Sequence, residues 1–487
     1  MAAYVVAIDN GSQSTKVSIV DADGRVHASA RVGLRPYLHP APGHVVHPGD
    51  DVWESIASAC RLALDRFTGD ASEIVAVGLC TIRFCRAILD ADGQLAEPML
   101  SWMDSRVGRP FEPSDAQATY VTTSSGYITR RLTGAFSDAA ANYQGVWPID
   151  QNTWRWSDDP QAYRDTGMTR AMLFDLVDPG SPLGMVTAEA AAATGIPEGI
   201  VVYATANDKA VEALGSGLRG ESELVLSLGT YVSSMTIGDG SASADAFWVN
   251  FGSRPGQYLY ESEGIRRGMW TVSWFRSLLQ AEANDAEQED ALGDRLYSLE
   301  ERLNEGAASV PPGSGGLMTV LDWLAPANAQ YRRGALLGFD GSQGRFHIYR
   351  SILEGLAFTM ADHAAAMETA LERRFDSVIL SGGGARSQLI ATIIADVFGL
   401  VVRRAETDDA AGMGAAICAA VGSGMHPSWD EAITRMVRYA PPVEPSQNRA
   451  AAYSRLHRVH TGLRARTDGL FEWMTTELQS REEPAPD

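Results

Sequence analysis

Apolar and β-branched positions run from Tyr4 to Ile8, stop at a polar stretch from Asp9 to Lys16, and resume at Val17-Ser18-Ile19-Val20. The pattern predicts two strands joined by a tight polar turn. Asp21-Ala22-Asp23-Gly24 then turns the chain into a third strand. A similar alternation recurs 218 positions later. Leu224-Val225-Leu226-Ser227-Leu228 reads as a strand, Gly229-Thr230 as a turn, and Tyr231 to Ile237 as the return. One glycine hairpin in each half points to two related lobes facing each other across a cleft.

Longer apolar stripes predict helices. Asp50 or Asp51 is placed to cap a helix through Trp53 to Phe67. Ile348 to Phe375 carries apolar residues at helical spacing, and Ser387 to Phe398 and Gly412 to Val421 are two more apolar helices. Gly399 and Gly422 sit where glycines stop helices, with a short strand, Leu400 to Arg403, between them. Ala281 to Ala307 reads as a solvated helix pair, Pro441 to Asn448 as loop, Ser454 to Ser480 as one or two final helices, and Arg481 to Asp487 as a frayed end. Strands alternating with helices throughout indicate α/β architecture.

Length and charge narrow the reading. The chain has 487 residues, enough for two or three domains. Its formal charge of −21 disfavours nucleic acid as the main partner. No stretch approaches the roughly 18 apolar residues of a membrane span. The start, MAAYVVAIDNG, lacks a basic region followed by a long apolar run, so no secretory signal is expected and a cytoplasmic location is. Cys60, Cys80, Cys85 and Cys418 form no CxxC pair and no zinc-like spacing, which favours small buried thiols. Only two of the 40 basic residues are lysines, Lys16 and Lys209, and both fall inside polar motifs. A lysine ammonium is a compact charge with rotatable donors, suited to a phosphate.

Four motifs are candidates for chemistry. In Asp9-x-Gly11-Ser12-Gln13-Ser14-Thr15-Lys16, glycine permits a tight turn and the side chains add donors. Asp9 at the strand end suits Mg²⁺, held directly or through water. An ordinary polar hairpin is the alternative; a P-loop is not, because GxxxxGK[ST] is absent. In Asn207-Asp208-Lys209, Asp208 opens a helix after the strand Ile200 to Tyr203, at the edge where α/β sheets bind ligands. Read alone, an N-cap aspartate is the favoured reading. Ser381-Gly382-Gly383-Gly384-Ala385-Arg386-Ser387 between strand and helix permits close approach of a flat or phosphorylated ligand, or is a tight connection only. Trp102-x-Asp104-x-Arg106, with Arg83 upstream, suits a polyhydroxylated ligand, or is a surface Asp–Arg pair beside a buried tryptophan.

Together and in this order, these motifs resemble the FGGY family of carbohydrate kinases. The pieces are AIDNGSQSTK, LSWMDSR, RLTGAFSD, NDKAVEALGSG, LSLGTYVSS, GALLGFDGSQGRFHIYRSILEGLAF, LSGGGARSQLIATIIADVFGL and GMGAAICAAVGSG, spanning about residues 4 to 424. The resemblance implies the two-lobed actin-like ATPase (ribonuclease H-like) α/β fold with a central cleft, an N-terminal lobe over 1–218 and a C-terminal lobe over 219–487. It implies ATP and Mg²⁺ as cofactors, a sugar as the other small-molecule partner, and neither nucleic acid nor membrane. A homodimer is compatible with it and not fixed by it.

The resemblance also assigns roles. Asp208 matches the general base on the acceptor hydroxyl and, with Asp9, is expected near the metal. Gly11, Ser12, Gln13, Ser14, Thr15 and Lys16 match the first phosphate hairpin, and Gly229 and Thr230 the second. Gly383, Gly384 and Ser387 match the adenosine loop, and Gly268 another glycine of the nucleotide cleft. Arg83, Trp102 and Asp104 match positions near the sugar. The expected activity is phosphate transfer to a terminal hydroxyl of a ketose such as xylulose or a related pentulose. A polyol or sugar-acid acceptor is the alternative, and from another class a non-catalytic nucleotide or sugar sensor. A nicotinamide dehydrogenase is disfavoured, since no GxGxxG follows a strand with an acid about twenty residues on.

Two departures from the family bear on the acceptor. Arg83 is followed by Phe84-Cys85-Arg86 rather than by glutamate, which disfavours glycerol. A helical segment that the family commonly carries between WxDxR and RLTG is missing, since only Val107 to Arg130 joins the two. The sugar pocket is therefore either more open or lined from elsewhere. Lys209 stands where Gln or Asn is frequent; it either acts on Asp208 or a phosphate, or faces solvent.

Overall fold

The computed structural model describes residues 3–113, 118–280, 289–326 and 329–479. In the first lobe, β1 (Tyr4–Asn10), β2 (Ser14–Asp21) and β3 (Val26–Gly33) form an antiparallel meander. Helix α1 (Asp51–Arg66) follows, then β4 (Ile74–Thr81), β5 (Pro182–Met185), β6 (Val201–Ala204) and helix α2 (Asp208–Gly215). The sheet order is β5-β6-β4-β1-β2-β3, with β1, β4 and β6 parallel. Every residue of β1 is buried. A parallel strand covered on both faces needs such a continuous apolar run.

The second lobe repeats the plan. It contains β7 (Glu223–Leu228), β8 (Val232–Gly238), β9 (Trp248–Phe251), β10 (Tyr258–Glu261), α3 (Gly268–Gln280) and α4 (Arg345–Ala370). Then come β11 (Ser377–Ser381), α5 (Gln388–Phe398), β12 (Val401–Arg404), α6 (Ala410–Gly422) and α7 (Gln447–Gln479). The sheet order is β9-β10-β8-β7-β11-β12. Strands β7, β8 and β10 repeat the antiparallel β1, β2 and β3; β11 and β12 repeat the parallel β4 and β6. This is the two-lobed actin-like architecture that the sequence resemblance implies.

The switch between sheets falls between Ala204 and Glu223. Helix α6 crosses it: a product of the second half of the chain, it packs on β1 and β4 of the first sheet and on α2. Glycines allow the approach. A Cβ on Gly78 would stand 2.1 Å from the Ala415 carbonyl oxygen, and one on Gly414 would stand 2.0 Å from that of Val211. No side chain fits either place.

Several element ends differ from the sequence expectation. The long helix runs Arg345–Ala370 rather than to Phe375, because the chain reverses at Glu372, whose φ is +52°. Asp50 precedes α1 but makes no capping bond. Its carboxylate instead accepts from Tyr127 Oη at 2.7 Å and pairs with Arg131. The C-terminal helices are one, α7, starting inside the expected loop at Gln447. Among the described residues of the acidic segment the helix is Glu289–Ala308; residues 281–288 and 481–487 lie outside the described residues. All four cysteines are free and buried. No helix among the described residues is long and apolar enough to cross a membrane.

Candidate functional site

Strands β1, β4 and β6 end at one edge, where Asp9 closes β1 and Asp208 follows β6. Because β4 separates them, the two strands lie about 10 Å apart. Cys80 of β4 pairs with Asp9 across the sheet. Burial raises its thiol well above the usual value, and Asp9, Asp208 and Asp409 add to the effect. Three carboxylates therefore converge on this edge, two of which the motifs identified.

The first hairpin sorts its side chains by direction. The Gly11 N–H donates to the Ser14 carbonyl at 3.1 Å. Thr15 is fully buried, bonded to the Asn10 amide at 2.7 Å and to Ser55 Oγ at 2.7 Å. Ser14 Oγ accepts from Arg31 at 2.9 Å. Both hydroxyls thus hold the hairpin in shape, while Ser12 is half-buried and Gln13 exposed at the tip.

Lys16 Nζ lies 3.2 Å from Asp9 and 3.3 Å from Asp409. Burial, together with the Asp409 charge, pushes the Asp9 carboxyl up to about 8, against the pull of Lys16. One ammonium does not balance two carboxylates at such a site, and added positive charge relieves it. The pair has the hard oxygen donors that Mg²⁺ prefers. Among the described residues no larger acidic or histidine cluster offers an alternative. Sequence reasoning missed Asp409. Its signal was an aspartate directly before an apolar helix, and it does cap α6, accepting from Gly412 N at 3.1 Å.

Asp208 is not the cap of its own helix. Asn207 fills that role, its Oδ1 accepting from Ala210 N at 3.1 Å. The Asp208 carboxylate is left with the Lys209 N–H at 3.0 Å and Arg83 Nε at 3.7 Å. Burial raises its pKa, while Arg83 and Lys209 restrain the rise. Lys209 does not face solvent: Nζ donates to Glu212 at 2.8 Å and to Ser227 Oγ at 2.9 Å. Ser381 Oγ donates to the same Glu212 at 2.9 Å. This buried pair ties the start of α2 to the ends of β7 and β11.

Across the cleft, the expected glycines come together. Met269 N donates to the Gly229 carbonyl at 3.3 Å. A Cβ on Gly384 would meet Leu228 and Met269 at 2.9 Å, and one on Gly268 would meet Val232 at 2.2 Å. Gly268 and Gly384 are therefore packing positions. Gly383 has nothing within 4 Å of a Cβ and, with Thr230, is exposed. Ser387 caps α5 and donates to Asn304 at 2.7 Å. These two residues line a cavity of about 610 Å³ together with Glu300, Arg350 and Arg449.

The sugar-side residues divide. Trp102 is 46% exposed. Asp104 is buried and fully engaged: it accepts from Val45 N at 2.7 Å and from Arg106 N, Nε and Nη2 at 2.8–2.9 Å. Arg106 holds its carboxyl below the usual range against the pull of burial. Asp104 thus shapes the loop that presents Trp102, with no oxygen left over for a hydroxyl. Arg83 makes a two-pronged bridge to Glu261 of the other lobe, at 2.7 and 3.2 Å. Its guanidinium lies 4.7 Å from the Trp248 ring and 5.3 Å from that of Phe84. Glu261 and Trp248 carried no motif and were not foreseen.

Known proteins resemble the chain in sequence and in fold. The N-terminal domain of the FGGY family of carbohydrate kinases matches residues 4–112, and its C-terminal domain matches residues 224–423. The uncharacterized sugar kinase YgcE of Escherichia coli (strain K12) is 43% identical over 93% of this chain and 92% of its own length. Among solved structures, ligand-bound xylulose kinase from Lactobacillus acidophilus aligns with a TM-score of 0.81 at 17% identity, over 97% of this chain and 99% of that one. Gluconate kinase from the same organism aligns with a TM-score of 0.81 at 17% identity, over 97% and 100%. Both likenesses show the fold. Two matched domains and a near full-length relative at this identity establish that the chain belongs to the FGGY family of carbohydrate kinases, phosphotransferases that act on an alcohol group of their substrate.

Proposed function

We propose that this enzyme transfers the γ-phosphate of ATP to a terminal hydroxyl of a ketose such as xylulose or a related pentulose, with Asp208 as general base. The observation that carries the reading is the division of labour at Asn207 and Asp208: the asparagine caps the helix, and the aspartate carboxylate stays out of the cap, beside Arg83 at the cleft edge. Its raised pKa suits a base that must take a proton from a hydroxyl. Phosphoryl transfer needs positioning and charge balance more than covalent catalysis. In this reading the hairpin backbones at Gly11 to Gln13 and at Gly229-Thr230 face the phosphates, and the Gly383 backbone and Ser387 face the adenosine. Asp9 and Asp409 would hold Mg²⁺, with Lys16 between them. When bound, the cation supplies neutralising charge to the phosphate oxygens. Trp102 borders the acceptor, and Asp104 holds that tryptophan in place.

The test is ADP release from Mg·ATP across ketoses, aldoses, polyols and sugar acids, with Asp208→Ala as control. A sugar-dependent signal absent from the control supports the reading. ADP release that persists in the control removes Asp208 from the base role.

A further inference from the structure

The surroundings of Asp208 take their charge and polarity from both lobes. Arg83 is the cation nearest the base, and every part of it is occupied. Nη1 and Nη2 grip Glu261, Nε faces Asp208, and the plane lies against Trp248 and Phe84. Glu261 is fully buried, so its charge is held there by this bridge. Of the other charges nearby, Lys209 is paired with Glu212, and Glu263 and Arg266 act on Tyr231 with opposite sign. Lys16 is taken by Asp9 and Asp409. Counting Arg83, Glu261 and Asp208, the neighbourhood of the base carries a net charge of about −1.

Beside this cluster are buried amides with unspent hydrogen-bonding capacity. Asn250 is 1% exposed and its Nδ2 donates to Glu261 at 3.4 Å. That donation fixes which way the amide points and leaves Oδ1 buried with no partner. Gln144 is 8% exposed, and neither of its amide atoms has a partner. It precedes Gly145, where a Cβ would touch the Phe84 ring at 3.9 Å. Buried polar groups left unpaired are costly, so such atoms mark places that a polar ligand fills. An amide oxygen needs a donor. A hydroxyl donates and accepts, whereas a carboxylate only accepts.

We propose that Arg83–Glu261, Asn250 and Gln144 make this an acceptor site for uncharged polyhydroxyl compounds, closed to sugar acids, with Glu261 as the residue that excludes the carboxylate. The proposal rests on the kinase reading above and narrows its acceptor. A sugar acid would have to break a buried two-pronged ion pair to reach Arg83, and would meet Asp208 and Glu261 as like charges.

The test uses matched pairs: xylitol and D-xylulose against D-xylonate, and D-glucitol against D-gluconate. ADP release from Mg·ATP is measured with the intact enzyme and with Glu261→Gln. In the intact enzyme the neutral member of a pair should exceed its acid by at least about 30-fold in kcat/KM, and Glu261→Gln should shrink that ratio about tenfold by releasing Arg83. An acid used as well as its neutral partner, or a ratio unmoved in Glu261→Gln, overturns the proposal. If Glu261→Gln does not fold, Gln144→Ala and Asn250→Ala decide. Each should raise the KM of the neutral acceptor about fivefold with the ATP KM unchanged, and no change in either variant overturns it. If no compound releases ADP, thermal shifts with the same five compounds separate the two ideas. Stabilisation by neutral members alone supports this pocket while the transfer reading fails. Stabilisation by the acids, or by none of the five, overturns the pocket.

Discussion

At the scale of single residues, the account turns on Asp208 and what surrounds it. Burial raises its pKa, so the base is unprotonated only above a pH higher than for an ordinary aspartate. The rate should fall as pH drops through that raised value. Lys209 restrains the rise, so Lys209→Met should move the acid limb of kcat/KM to higher pH, and an unmoved limb would remove Lys209 from the electrostatics of the base. Trp102→Ala should raise the sugar KM about tenfold and the ATP KM less than twofold, as for loss of one aromatic contact; equal effects on both would take Trp102 out of the acceptor site. What the sequence showed at this scale follows distance along the chain. Asp9, Lys16 and Asp208 lie in short motifs and were legible. Glu261 reaches Arg83 across 178 positions, and Asp409 reaches Lys16 across 393. Such pairings leave no local pattern. Asp104 was legible as a carboxylate beside an arginine, but not as one already saturated by its own loop.

At the scale of elements, the two hairpins revealed the duplicated plan because each carries the same strand, glycine turn and return strand. The parallel strands completing each sheet were visible only as apolar runs, since strand order is set by long-range pairing. Helix ends were the least legible. The reversal at Glu372 has no glycine or proline to announce it. The packing of α6 under the first sheet was likewise hidden, although its small residues, Ala410, Ala411, Gly412 and Gly414, are the composition that close approach requires. Gly414→Ala forces a methyl against the Val211 carbonyl and should cost about 1–3 kcal/mol by overpacking. Thermal melting should show the loss as a drop of a few degrees. A melting temperature equal to that of the parent would mean that α6 and α2 separate more readily than their packing implies.

At the scale of the whole molecule, the site belongs to neither lobe alone. The first half of the chain supplies Asp9, Lys16, Arg83 and Asp208; the second half supplies Glu261, Trp248, the glycine loops and Asp409, the last carried on the helix that packs on the first sheet. Lys209 and Glu212 connect the base to strands β7 and β11, which lead into the Gly229 and Gly383 turns. Small changes between the lobes would therefore alter the distance between Asp208 and the Gly229 and Gly383 turns. This arrangement suits an enzyme that closes around its substrates and so limits transfer to water. Asp409→Asn should raise the Mg²⁺ concentration for half-maximal rate about tenfold while leaving the acceptor KM within twofold. A parallel change in both would place Asp409 in the folding of the cleft rather than at the metal.

The central claim is that Asp208 activates the acceptor hydroxyl, and single-turnover phosphate transfer tests it most directly. Intact enzyme and Asp208→Ala are mixed with Mg·ATP and the acceptor that gives the largest ADP signal, with Mg·ATP binding measured in parallel. The account predicts transfer slowed at least about 100-fold in the variant, with nucleotide affinity unchanged within about threefold. Transfer at the parental rate would contradict it.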